Sequence, residues 1–119
     1  MSTIKVDNLQ TTGGAGLYPA RAWVTFTGTG TVTIRDDGNV SSITDYRAGE
    51  YGVNYTSNFS NANYAAVYTS GRVSSRSDHY NLACCDLSAA TTSSFYVRAI
   101  APNSSTEVDS ETVKYIALN

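Results

Sequence analysis

The chain has 119 residues, enough for one domain and too few for two, and a formal net charge of −2. Its charged fraction of 15% is well below the usual quarter, and Ser, Thr, Asn and Gly make up the polar balance, a mix that favours strands and turns over helices. There is no basic run, no apolar run of the ~20 residues a membrane helix needs, and no basic start with an apolar core at the N-terminus. Nucleic-acid binding, membrane insertion and export through a secretory leader are therefore set aside, and synthesis is placed in a cytoplasm.

Residues 2–10 carry Ile4, Val6 and Leu9 and read as a short extended arm, and residues 11–16 (TTGGAG) read as a flexible joint. The expected organisation is a docking arm and joint over 1–16 and a β-sandwich domain over 17–119. The domain is organised around residues 22–35. Ala22, Val24 and Phe26 alternate with Trp23, Thr25 and Thr27, and after Gly28-Thr29-Gly30 the residues Val32 and Ile34 alternate with Thr31, Thr33 and Arg35. A period of two marks half-buried strands, and the glycines supply the freedom of a short hairpin turn. Trp23 falls on the Thr-rich face, so it needs a second layer or another subunit.

Asp36-Asp37-Gly38-Asn39 reads as a turn. Residues 40–44 form a short strand with Val40 and Ile43 as core candidates, and residues 50–56 a longer one with Tyr51, Val53 and Tyr55 on one face and Gly52 and Asn54 on the other. Phe59, in the polar connection after it, is expected to plug one end of the core. The Ala65-Ala66-Val67 centre of the next strand predicts burial on both faces. Residues 70–81 are polar and aperiodic and gather Arg72, Arg76, Asp78, His79 and Tyr80, and long irregular loops on a rigid scaffold often carry recognition. After a strand at 82–87, Phe95, Val97 and Ala99 alternate with Tyr96, Arg98 and Ile100. In the last strand Val113, Tyr115 and Ala117 alternate with Lys114, Ile116 and Leu118. That strand is apolar on both faces and is expected to be central or covered by a subunit, since an exposed edge of this kind invites aggregation. Seven or eight short strands without an amphipathic helix predict an all-β antiparallel sandwich with Val24, Phe26, Val32, Ile34, Val53, Val67, Val97 and Val113 in its core.

The arm STIKVDNLQ (2–10), the hairpin GLYPARAWVTFTGTGTVTIR (16–35), NVSSITD (39–45), GEYGVNY (49–55) and the pair Asn63-Tyr64 resemble a module of bacteriophage tail-fibre proteins, frequent in phages of marine cyanobacteria and other aquatic bacteria. The resemblance covers roughly residues 2–68. It departs at Ala48-Gly49-Glu50-Tyr51, where the family often has Gly-Thr-Gly-Asp-Tyr, and beyond residue 68 it carries only β character. It implies a virion protein, on the tail or the capsid surface, with no catalytic residues and with other virion proteins as partners. Met1 lies directly before the module, so the expectation is a whole small virion protein or a separate tip subunit. Phage fibres are commonly threefold, and Trp23, Ile116 and Leu118 lie off the core phase, which together predict a homotrimer with those residues at the subunit interface and Ile4, Val6 and Leu9 docking onto the virion.

No residue is assigned to catalysis. His79 beside Asp78 suggests a hydrolase triad, but a Ser-rich chain always supplies spurious partners. Asp36, Asp37, Asp45 and Glu50 suggest an acid–base pair, but they sit beside turn residues where Asp serves the backbone. Cys84 and Cys85 point to opposite faces of a strand and cannot bridge each other, and with one His and no third Cys they make no metal site, so no metal or cofactor is expected. They read as small, partly buried apolar side chains, with a redox role or a bridge between subunits as the alternatives.

Of the nine tyrosines, Tyr51, Tyr55 and Tyr115 are in phase with the core, while Tyr46, Tyr68 and Tyr80 are expected at the surface. Recognition is placed on Arg72, Arg76, His79 and Tyr80, aided by Tyr46 and Arg47. Two function classes remain: a tail-fibre or tail-tip adhesin that contacts a host-surface glycan or protein, and a structural virion protein, such as a capsid decoration or assembly connector, that binds only other phage components.

Overall fold

The alternation around Phe26 builds strand β1 (Ala20–Thr27), which the Gly28-Thr29-Gly30 turn joins to β2 (Thr33–Gly38). Gly30 takes a φ of 63°, a conformation that glycine adopts without strain. The remaining strands are β3 (Val40–Arg47), β4 (Glu50–Tyr55), β5 (Ala65–Ser70), β6 (Leu82–Cys84), β7 (Ser94–Ile100) and β8 (Val113–Leu118). This computed structural model describes residues 2–16, 20–71, 82–84, 90–100 and 109–118, with the backbone alone at 82–84, and no helix occurs among them. The strands form two four-stranded sheets, β2-β1-β8-β5 and β3-β4-β7-β6, paired antiparallel throughout. The all-β sandwich read from the sequence is the observed architecture.

The core lies between the sheets. Ala22, Val24, Phe26, Val113, Tyr115 and Ala117 come from the first sheet and meet Tyr51, Val53, Tyr55, Phe95, Val97 and Ala99 of the second. Aromatic rings lock the layers together: Phe26 meets Tyr51 edge to face at 5.2 Å, and Phe95 meets Tyr115 at 5.1 Å. At one end Phe59 stacks on Tyr55 at 4.6 Å, the plug expected of it. There the Tyr55 hydroxyl shares hydrogen bonds with those of Tyr115 at 2.6 Å and Tyr64 at 3.0 Å. Burial pushes all three phenols up, so they stay neutral and hydrogen-bonded, as buried hydroxyls must be.

Several expectations are corrected. Asp36 and Asp37 are not turn residues; they belong to β2 and pair with Thr25 and Val24. The turn shrinks to the corner at Asn39, whose φ of 58° is tolerated by Asn. The Asn39 side chain holds that corner, donating to the carbonyls of Arg21 and Ser57 and accepting from Ser57 N at 2.7 Å. Val67 is not in the core but 67% exposed, and Ala65 is exposed too, because β5 is an edge strand with one face open to solvent. Its other face is inward, so Tyr68, expected at the surface, is buried; its hydroxyl donates to Arg98 O at 3.1 Å and accepts from Arg98 N at 3.2 Å, tying β5 to β7. Val32, just before β2, and Ile34 within it are only partly buried, at the other edge of that sheet. The last strand, β8, is central, between β1 and β5. Residues 2–16 are exposed, with Ile4, Val6 and Leu9 among the most accessible large apolar side chains. The expected joint closes into a turn, where Thr11 N donates to Ala15 O at 2.8 Å and Gly14 N to Thr11 O at 2.9 Å.

Candidate functional site

Alternation on β4 sends Tyr51, Val53 and Tyr55 into the core and leaves Glu50, Gly52 and Asn54 on the outward face of the second sheet. On β7 the same rule turns Tyr96 and Arg98 outward, directly opposite Gly52 and Glu50. On β3, Thr44 lies opposite Gly52, and Tyr46 follows two residues later on the same face. Three strands thus bring one polar and aromatic cluster together.

Glu50 is only 3% exposed although it faces outward. A buried carboxylate is costly unless it is paired and hydrogen-bonded, and this one is. Arg47 Nη2 donates to its Oε1 at 2.6 Å, the Tyr96 hydroxyl donates to its Oε2, and Arg98 Nε lies 3.6 Å from Oε1. The hydrogen bonds from Arg47 and then Tyr96 hold the Glu50 carboxyl down at about 2, against desolvation that opposes them. The Tyr96 phenol is pushed up to about 12, by burial first and by the bond it donates to Glu50 second. Glu50 is therefore a fixed anion and Tyr96 a fixed donor, and each orients the other.

Gly52 gives this face its relief. A Cβ there would stand 3.0 Å from Tyr46 Cε2 and 3.1 Å from its hydroxyl, so the phenol end of Tyr46 lies over the bare backbone of β4. The Tyr46 ring reaches towards Tyr96, with centroids 5.6 Å apart and a tilt of 44°, and the residue is 58% exposed. On the far side of Gly52, Asn54 Nδ2 donates to Ser42 Oγ at 3.1 Å and Thr44 Oγ1 at 2.9 Å. The result is an exposed aromatic platform, flanked on one side by a guanidinium–carboxylate cluster and on the other by an amide–hydroxyl row. Among the described residues no three His, Cys, Asp or Glu side chains gather to hold a metal ion.

Of the residues singled out for binding, Tyr46 and Arg47 lie in this cluster. Arg72, Arg76, His79 and Tyr80, and the rest of 72–81, lie outside the described residues. The chain re-enters at β6, where Leu82 pairs with Ile100 and Cys84 with Arg98, so the strand after that segment lies beside the Arg98 strand. The side chain of Cys84, and Cys85 altogether, likewise fall outside the description. Tyr96, Arg98, Gly52 and Asn54 were missed as site residues, and Glu50 was weighed only as one of several carboxylates. Their alternation is legible, but the pairing of β4 with β7, which brings together residues 46 apart in the chain, is not. The carboxylates weighed as an acid–base pair are divided: Asp36 and Asp37 belong to the first sheet, and Asp45 on β3 and Glu50 on β4 to the second.

The outward face of the first sheet is different in kind. Trp23, Ile116 and Val67 lie in one row across β1, β8 and β5, with Leu118 opposite Ala65 beside them, and all four large apolar side chains are exposed. Trp23 lies over Gly38, leaving no room for a Cβ there. No protein-family model matches the chain, and the comparisons with curated proteins and with solved structures found no match.

Proposed function

We propose that this protein is a non-enzymatic bacteriophage virion protein, a tail-fibre or tail-tip module that attaches the particle to the host surface through the outward face of β3, β4 and β7. One observation carries the reading: a buried carboxylate fixes Tyr96 and Arg47 on the outward face of the second sheet, beside the exposed Tyr46. Rigid amphipathic tyrosines with adaptable polar neighbours make economical contact surfaces, because little side-chain entropy is lost on binding. The resemblance of residues 2–68 to phage tail-fibre modules supports the same reading. In it the exposed row of Trp23, Ile116 and Leu118 joins three copies of the chain, and Ile4, Val6 and Leu9 of the arm dock onto other virion proteins.

The test is adsorption of the purified chain to host cells, with Tyr46→Ala as the variant. The Tyr46 side chain is largely exposed and pairs with no buried charge, so the melting temperature should stay within a few degrees while adsorption falls about tenfold or more. Unchanged adsorption removes this face from attachment.

A second reading has its own observation. The apolar row on the first sheet and the arm together suit a structural virion protein, a capsid decoration or assembly connector that binds only phage components. Binding to purified virions lacking the protein, with no binding to host cells, selects that reading.

A further inference from the structure

The chemistry of the recognition face narrows the class of ligand. Resting on attachment through this face, we propose that the Tyr46 platform binds a neutral hexopyranose unit of a surface polysaccharide, stacked on the Tyr46 ring and hydrogen-bonded on both sides.

Tyr46 presents an exposed ring whose far end is seated on Gly52 and which lies tilted against Tyr96. The apolar C–H face of a pyranose packs on such a ring, and the ring's polar rim keeps the neighbouring hydroxyls wet or bonded. Successive outward residues on a strand lie about 6.6–6.8 Å apart. Stepping one way along β4 from Gly52 reaches Glu50 with its Arg47 partner; stepping the other way reaches Asn54, bonded to Ser42 and Thr44. A saccharide ring on Tyr46 thus has a guanidinium on one side and an amide with two hydroxyls on the other. That is the donor and acceptor mixture sugar hydroxyls need, since each both gives and takes a hydrogen bond.

Other ligand classes fit less well. A protein partner draws its affinity from a buried apolar anchor in a pocket, and the outward residues of β3 and β4 around Tyr46 are polar or glycine. A nucleic acid needs a run of cationic groups, whereas this cluster sets two guanidiniums against one carboxylate, an excess of a single charge, with both guanidiniums turned to Glu50. Glu50 serves as a positioning residue: it holds Tyr96 and Arg47 in place rather than touching the sugar.

The experiment uses the full chain and four soluble polymers, dextran, mannan and galactan as neutral probes and polygalacturonate as the acidic one, with binding followed by NMR. A single stacked unit should bind with a Kd on the order of 1 mM. At least one neutral polymer should shift the Gly52 amide and the Tyr46 and Tyr96 ring signals, leaving the Trp23 indole on the other sheet unmoved. Tyr46→Phe, which keeps the ring, should bind within about twofold of the native chain, and Tyr46→Ala should lose about tenfold or more. The proposal is overturned if no neutral polymer shifts these signals, if polygalacturonate alone does, or if Tyr46→Ala binds as the native chain does. Parallel adsorption to host cells separates this outcome from attachment itself. Adsorption that depends on Tyr46 without any saccharide binding keeps the face and rejects the sugar; saccharide binding without Tyr46-dependent adsorption keeps the sugar site and rejects its part in attachment.

Discussion

Acid titration reads Glu50 directly. Its carboxyl is held at about 2 in the folded chain against an ordinary 4.5, so its charged form is favoured by folding. That contribution is fully present above about 4.5 and is lost as the pH falls through about 2. Solvent screening at the exposed Arg47 keeps it to about 1–2 kcal/mol. Stability measured by denaturant between those two pH values should therefore decline less in Glu50→Gln than in the native chain, and equal slopes would show that the carboxylate is not held as described. In the core, Phe26 is fully buried against Tyr51, and Phe26→Ala should cost about 3–5 kcal/mol; a loss under about 1 kcal/mol would place it at the surface. Gly28 is a different kind of position, because a Cβ there would stand 2.7 Å from the Ser110 carbonyl oxygen and 2.5 Å from the Tyr51 hydroxyl. Backbone cannot step aside as a flexible side chain can, so Gly28→Ala should cost about 1–3 kcal/mol through overpacking. At Gly52 the obstacle is only the far end of Tyr46, so Gly52→Ala should move that ring and leave the melting temperature nearly unchanged.

At the scale of strands, the period of two was enough wherever one face was plainly apolar. Val24 and Phe26 on β1, Phe95 and Val97 on β7, and Val113 and Tyr115 on β8 face inward as their alternation requires. It failed on β5, where Ala65, Ala66 and Val67 are apolar in both phases, so burial on both faces was inferred from a strand that is an edge. Only the neighbour on β8 decides which phase points in, and Tyr68 follows that choice into the core. Half of the proposed recognition face was legible for the same reason. Tyr46 and Arg47 stand out beside a turn, whereas Glu50, Tyr96 and Arg98 become a site only when β4 lies against β7. Val67 is exposed in the single chain, so Val67→Thr should shift the stability of the dissociated monomer by no more than about 0.5 kcal/mol, a result opposite to that for a core valine.

For the whole molecule, the two outward faces differ in chemistry. One is apolar, the row of Trp23, Ile116 and Val67, and suits burial against copies of the chain; the other is polar and aromatic and suits a hydrated ligand. Threefold assembly would present three recognition faces, raising weak single-site binding by roughly 10²–10⁴ through avidity. Light scattering after size exclusion should give the mass of a trimer, and Trp23→Ser should return the monomer without unfolding it; a monomer from the native chain at micromolar concentration would remove avidity from the account. The division of faces is tested most directly by hydroxyl-radical footprinting of the native chain, free and bound to host-envelope fragments. Tyr46 and Tyr96 should become protected on binding while Trp23 and Ile116 keep the labelling of the free protein. Protection of Trp23 and Ile116 with Tyr46 labelled as readily as before would contradict the account.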